Sequence, residues 1–209
     1  MSDTEDYQLP ASTLAVLQQF LKEQQERDVA ENASADVQED WQLSQFWYNA
    51  ETAKKLCREA ISACNGSGKV ACVSSPTLMK YFQEEQEVID GKIQLKVFEF
   101  DDRFRLKYPD EFVFYDYKQP ATFPPELKEY FDVVVVDPPF LSDECLVKTA
   151  QTVRLLSRPD TKIILCTGSI MEEQALKLMG AKRTSFNPQH EKNLANEFAC
   201  YTNYSPITL

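Results

Sequence analysis

The sequence predicts an α/β domain: a doubly wound, mostly parallel sheet with helices on both faces and a last strand running against the others. Three observations predict it. Strand-like and helix-like segments alternate from residue 51 to about residue 180, the pattern of a parallel sheet built from crossover units. Phe131-Asp132-Val133-Val134-Val135-Val136 is an almost unbroken β-branched run, as expected of a central parallel strand covered on both faces. The last two strand-like segments are joined without a helical pattern between them. With no crossover available, that pair is expected to be antiparallel.

Each element follows in order. Residues 1–10 read as frayed. After Ser12, Leu14, Leu17 and Leu21 share one helical face. Residues 27–40 are acidic, alanine-rich and poor in large apolar side chains, the composition of a linker. The chain thus divides into an acidic N-terminal helix and linker, 1–40, and a folded domain, 41–209. In the domain, Ala53, Leu56, Cys57, Ala60, Ile61 and Cys64 recur at helical spacing, so 51–64 is an amphipathic helix. Asn65-Gly66-Ser67-Gly68 stops it. Strands are predicted at 69–73, 93–100, 111–115, 131–136, 162–167, 183–186 and 197–204, seven in all. A helix is predicted from Pro76 to about Glu87, with proline at a tolerated first-turn position. Another is capped by Ser142 and runs to about Leu156. A third is opened by the capping box Ser169-Ile170-Met171-Glu172 and ended by Gly180.

Composition narrows the function. The chain is 43% hydrophobic and 26% charged, with a net charge of −11, which is ordinary for a globular protein apart from its acidity. Ten acids in residues 1–40 stand against only Lys22 and Arg27. An acidic protein repels phosphate, so direct nucleic-acid binding is disfavoured. No apolar run approaches the ~18 residues of a membrane span, and the N-terminus lacks the regions of a signal peptide. Six scattered cysteines form no C-x-x-C pair, and His190 stands alone; no metal site is expected. The expectation is a reduced, cytoplasmic, monomeric protein.

Asp137-Pro138-Pro139-Phe140 follows the valine strand directly, at the strand's carboxyl end, where α/β sheets place ligands. The prolines stiffen the backbone and remove two N–H donors. The Asp137 carboxylate and Pro138 carbonyl are left as acceptors for an attacking amino group, which aims its lone pair at a methyl donor. Phe140 offers a flat face for a base or an amine stem. These are the candidate catalytic residues: Asp137, Pro138 and Phe140. The structural alternative is a strand ended by a rigid turn.

A strand followed by [D/N]-P-P-[F/Y/W] resembles the signature of amino-methyltransferases acting on adenine, cytosine or glutamine nitrogen. Other segments make the resemblance closer: Trp41-Gln42-Leu43-Ser44-Gln45-Phe46-Trp47-Tyr48, Phe98-Glu99-Phe100-Asp101, Phe114-Tyr115-Asp116-Tyr117 and Asn193-Leu194-Ala195-Asn196-Glu197-Phe198. From Trp41 to Tyr204 the chain resembles the translation elongation factor 1-alpha lysine methyltransferase family. Its members were formerly described as N6-adenine DNA methyltransferase-like.

The resemblance implies a Rossmann-like class I methyltransferase fold, S-adenosyl-L-methionine as cofactor, and a protein lysine as methyl acceptor, with elongation factor 1-alpha as the partner. It implies that Glu99 or Asp101 accepts the cofactor's ribose hydroxyls, and that Asp116, with Tyr117, contacts its adenine. Ser74 and Ser75, in the loop after the first strand, can supply hydroxyls to the cofactor. The absence of glycine in Val73-Ser74-Ser75-Pro76-Thr77 departs from the pattern and puts cofactor approach in doubt. Gln45 and Tyr48, in an aromatic run on a polar stretch, are candidates for the cofactor wall. Trp47, Phe140, Asn193 and Asn196 are candidates for the substrate channel. An ordinary reading stands beside these: the aromatics latch the N-terminal segment onto the domain, and the asparagines begin a strand. Two other functions stay open: an adenine-N6 methyltransferase of nucleic acid, and a catalytically silent methyltransferase-like binding module.

Overall fold

A computed structural model describes residues 37–192, 194 and 196–209, together with Gln19 and Lys22. The helix expected after Ser12 and most of the linker lie outside the described residues. The chain divides into two compact units, Met1–Val37 and Gln38–Leu209; the second carries the sheet.

The elements are α1 Ala50–Ala63, β1 Gly68–Val73, α2 Thr77–Phe82, α3 Gln86–Ile89, β2 Ile93–Glu99, α4 Arg103–Lys107, β3 Phe112–Phe114, β4 Phe131–Val136, α5 Asp143–Leu156, β5 Ser157–Gly168, α6 Glu172–Met179, β6 Lys182–Arg183 and β7 Phe198–Thr202. They build a seven-stranded sheet of order β3-β2-β1-β4-β5-β7-β6. β1, β2, β3, β4 and β5 pair in parallel, and β7 runs antiparallel between β5 and β6. Strand order reverses between β1 and β4, which are directly paired from Val70↔Val133 to Val73↔Val136. All four valines of β4 are buried, so the valine run is the central strand that its composition demands.

Local chemistry explains most boundaries. Asn49 Oδ1 accepts the Thr52 N–H at 2.9 Å and caps α1. Ala53, Leu56, Cys57 and Ala60 of that helix are fully buried. Ser142 caps α5 through the Cys145 N–H, and Gly180 closes α6 at φ +64.

The structure differs from expectation in several places. The helix expected from Pro76 to Glu87 breaks into α2 and α3. Glu84 and Glu85 crowd the negative end of α2, where acids are disfavoured, and pair instead with Lys54 and Arg58 of α1. The short α4 carries too few residues to show a period. It starts where Asp101 Oδ1 accepts the Arg103 N–H. The capping box at Ser169 is not formed. Residues Ser169–Met171 make a 3-10 turn without a side-chain cap, and the Ser169 N–H donates to the Glu197 carbonyl across the sheet. Finally, β6 is only two residues long and begins one residue early.

Among the described residues no helix is long and apolar enough to cross a membrane. All six cysteines are buried and free.

Candidate active site

A cavity of about 650 Å³ opens at the carboxyl ends of β1, β2 and β4, over the reversal of strand order where such folds hold ligands. Its wall combines the β1–α2 loop, the ends of β2 and β3, the turn after β4, residues 42–47, and the segment around 190–198.

Asp137 lies in this wall with Pro138, Pro139 and Phe140. Its N–H continues the sheet to the Val73 carbonyl at 3.0 Å, which fixes the backbone at the reversal point. Its Oδ2 accepts the Tyr48 hydroxyl at 2.6 Å. No other donor reaches the carboxylate among the described residues. Burial pushes the Asp137 carboxyl up to about 7, with the nearby Glu99 carboxylate adding to the rise and the Tyr48 hydrogen bond opposing it. Phe140 is exposed at the cavity lip and packs on Tyr117 at 5.7 Å between centroids.

Glu99 ends β2 and is buried. Its Oε1 accepts two backbone N–H groups, Phe100 at 3.0 Å and Asp101 at 3.1 Å. Its Oε2 has no donor among the described residues. Burial raises the Glu99 carboxyl to about 7. Asp101 is different. Its carboxylate is bound by the Arg103 guanidinium at 2.6 Å and by Gln45 Nε2 at 2.9 Å, and it does not line the cavity. Burial pushes its carboxyl up, but these donors hold it below the usual range. Of the two acids, only Glu99 presents a vacant acceptor to the site.

Asp116 and Tyr117 both line the cavity after β3; Asp116 Oδ1 also accepts the Lys118 N–H, forming a turn. Ser74 lines it too, at φ +51. This is the left-handed conformation that glycine adopts at no steric cost. The chain therefore makes the backbone turn that glycine usually makes, with serine bearing the strain.

Residues 39–49 form a strap across the carboxyl edge. Glu39 pairs with Lys192 and accepts the Trp47 N–H. The Asn49 N–H donates to the Gln189 carbonyl, and the Glu191 N–H to the Trp47 carbonyl. Tyr48 and His190 form an antiparallel bridge between them. Glu39 and Asp40, read from composition as linker, are thus anchored to the domain. The strap places Gln45 and Trp47 on the cavity wall but turns Tyr48 behind it, against Asp137. Asn196 lines the cavity, and Asn193 lies outside the described residues. His190, Phe198 and Leu194 are wall residues that sequence reasoning missed or left as structural. No periodic pattern marks them: His190 and Leu194 arrive through the loop before β7, and Phe198 begins that strand. Burial holds the His190 imidazole down at about 4, so it is neutral near pH 7.

The donor set fits S-adenosylmethionine. Among the described residues the wall carries the acids Glu99, Asp116 and Asp137 against Lys118, a balance that favours a sulfonium and an amine over a polyphosphate. Sheet, antiparallel seventh strand and Asp-Pro-Pro-Phe turn together define a class I S-adenosylmethionine-dependent methyltransferase. The comparisons agree. A family model described as "Probable N6-adenine methyltransferase" matches residues 39–206, and the chain belongs to that family.

A protein-lysine N-methyltransferase of Caenorhabditis elegans is 53% identical, with 100% of this chain and 99% of that one covered. EEF1A lysine methyltransferase 1 of Homo sapiens is 47% identical, with 98% and 96% covered. Among solved structures, the 1,6-didemethyltoxoflavin-N1-methyltransferase of Burkholderia thailandensis shares the fold at a TM-score of 0.52. It is 11% identical, with 95% and 92% of the two chains covered.

Proposed function

We propose that this chain transfers a methyl group from S-adenosylmethionine to the ε-amine of a protein lysine, and that the protein is translation elongation factor 1-alpha. The observation that carries this reading is the Asp137 carboxylate, set in the cavity wall with one oxygen bound by Tyr48. The near full-length identity to proteins named as lysine methyltransferases supports the same acceptor.

S-adenosylmethionine supplies an electrophilic methyl group. Glu99, whose Oε2 meets no donor among the described residues, would accept the ribose hydroxyls. Asp116 and Tyr117 would meet the adenine, and Ser74 and Gln45 complete the cofactor wall. Phe140 and Trp47 would flank the lysine stem, with Asn196 at its entrance.

A lysine in water is only about one part in a thousand neutral near pH 7.4, a cost of about 4 kcal/mol. The aromatic wall lowers the amine's proton affinity by excluding water. Asp137 and the Pro138 carbonyl accept the amine's hydrogens and leave its lone pair directed along the cavity. A carboxylate also favours the ammonium form, so Asp137 orients the amine more than it deprotonates it. Alignment then provides much of the acceleration.

The test is transfer of labelled methyl groups to purified elongation factor 1-alpha by wild type and Asp137→Ala. Label on a lysine with wild type alone supports the reading. Label that survives protease but is lost to RNase assigns the activity to nucleic acid instead.

A further inference from the structure

We infer that Tyr48 is a positioning residue: its hydroxyl holds Oδ2 of Asp137, so that one defined oxygen, Oδ1, is presented to the substrate amine. The inference rests on the reading of Asp137 as the group that orients the amine. Sequence reasoning placed Tyr48 in the cofactor wall, and the structure moves it behind the acid.

The geometry carries the assignment. Tyr48 is 1% exposed, so its hydroxyl has left water and needs a partner. That partner is Asp137 Oδ2, at 2.6 Å, the short distance of a charge-assisted bond. The two residues are far apart in sequence and come from different elements, so the contact exists only in the folded domain. The ring cannot swing away. It packs on His190 at 5.0 Å, which packs edge-on against Phe198 at 4.7 Å. Its backbone is bridged to His190 and flanked by the two strap hydrogen bonds.

A carboxylate at the end of a strand is otherwise free to rotate about its last torsion, exchanging its two oxygens. A donor on Oδ2 ends that exchange. The donor is neutral, so it orients the acid without cancelling the charge that the amine needs, as an arginine or lysine in its place would. Asp101 shows the contrast. Arg103 binds that carboxylate on both oxygens, and it does not line the cavity described. The titratable groups around Asp137 are Tyr48, Glu99, Cys145 and Cys166. Among them Tyr48 favours the ionised carboxylate, because its hydroxyl donates to that form.

Tyr48→Phe removes the donor and keeps the ring. Three measurements follow: S-adenosylmethionine affinity by calorimetry, kcat and KM for the protein acceptor, and the pH profile of kcat/KM. The expected result is cofactor affinity within about twofold of wild type and kcat lower by about 10- to 100-fold, the worth of one hydrogen bond to a charged group. The acidic break that reports Asp137 should move up by about one pH unit, because loss of a donor to the carboxylate favours the protonated form.

A partly unfolded variant lowers the rate by the same factor at every pH where it is folded to the same extent, and leaves the break in place. The profile therefore decides even if the variant melts earlier. If Asp137→Ala is inactive while Tyr48→Phe keeps wild-type kcat and an unmoved break, the Tyr48 assignment alone is overturned. A loss confined to cofactor affinity returns Tyr48 to the cofactor wall and also overturns it. If Asp137→Ala methylates at the wild-type rate, the underlying reading of Asp137 fails as well.

Discussion

Replacing Asp137 by asparagine should make the free protein more stable at alkaline pH while nearly abolishing methyl transfer. Burial raises this carboxyl from 3.8 to about 7. Ionising it in the folded protein is therefore harder than in the unfolded chain. The sign follows directly. Below pH 3.8 both states are protonated and the acid costs nothing. As pH rises towards 7 the unfolded chain ionises first, so stability is lost across that window, and above about 7 the full cost applies. The difference corresponds to about 4 kcal/mol. Asp137 is open to the cavity, and water there screens part of it, leaving on the order of 2 kcal/mol.

Asparagine carries no such cost, and its side-chain oxygen can still accept the Tyr48 hydroxyl. Urea unfolding of wild type and Asp137→Asn at pH 4.5 and pH 8 reads the effect. The variant should gain about 2 kcal/mol over wild type at pH 8 and about 0.5–1 kcal/mol at pH 4.5. In the same preparation kcat should fall about 10²- to 10³-fold, the usual cost of one lost orienting contact at a reacting centre. A variant no more stable than wild type at pH 8, or one whose advantage is the same at both pH values, would refute the argument that function here is held at the expense of stability.

Further outcomes follow from the site. Glu99→Gln should weaken S-adenosylmethionine binding by at least about tenfold, from loss of charge-assisted hydrogen bonds, whereas Asp101→Asn should leave the affinity nearly unchanged and lower the melting temperature; calorimetry showing the reverse order would reassign the ribose contact. Because Glu99 sits at about 7, wild-type cofactor affinity should fall as pH drops below 7, and this dependence should flatten in Glu99→Gln titrated at the same pH values. Ser74→Gly should relieve the left-handed strain and be neutral to about 1 kcal/mol stabilising, glycine's larger folding entropy offsetting part of the gain; a clear loss in chemical denaturation would mean the serine hydroxyl matters more than its backbone. Deleting residues 1–36 should leave cofactor affinity unchanged, and a loss of binding in a folded truncation would show that the acidic segment belongs to the site.

The sequence by itself determined the sheet and the place of the Asp-Pro-Pro-Phe turn. A run of valines must be buried on both faces, and Asp-Pro-Pro-Phe at its end must sit where parallel strands deliver their carboxyl termini. Both properties are local in the chain, so they can be read along it. The antiparallel ending was legible for the same reason, since no helical period intervenes before β7. What only the tertiary structure decided are pairings between distant segments. Glu99 and Asp101 stand two residues apart with the same side-chain chemistry, and nothing local separates them. Arg103 and Gln45 bind one and leave the other open. Tyr48 and Asp137 are separated by 89 positions and meet only because the strap bonds to the loop before β7. The missed wall residues His190 and Leu194 arrive by that same loop, and Phe198 begins the strand that follows it. A side chain's neighbours across the sheet set its free acceptors and its proton affinity, and those neighbours carry no mark in the adjoining sequence.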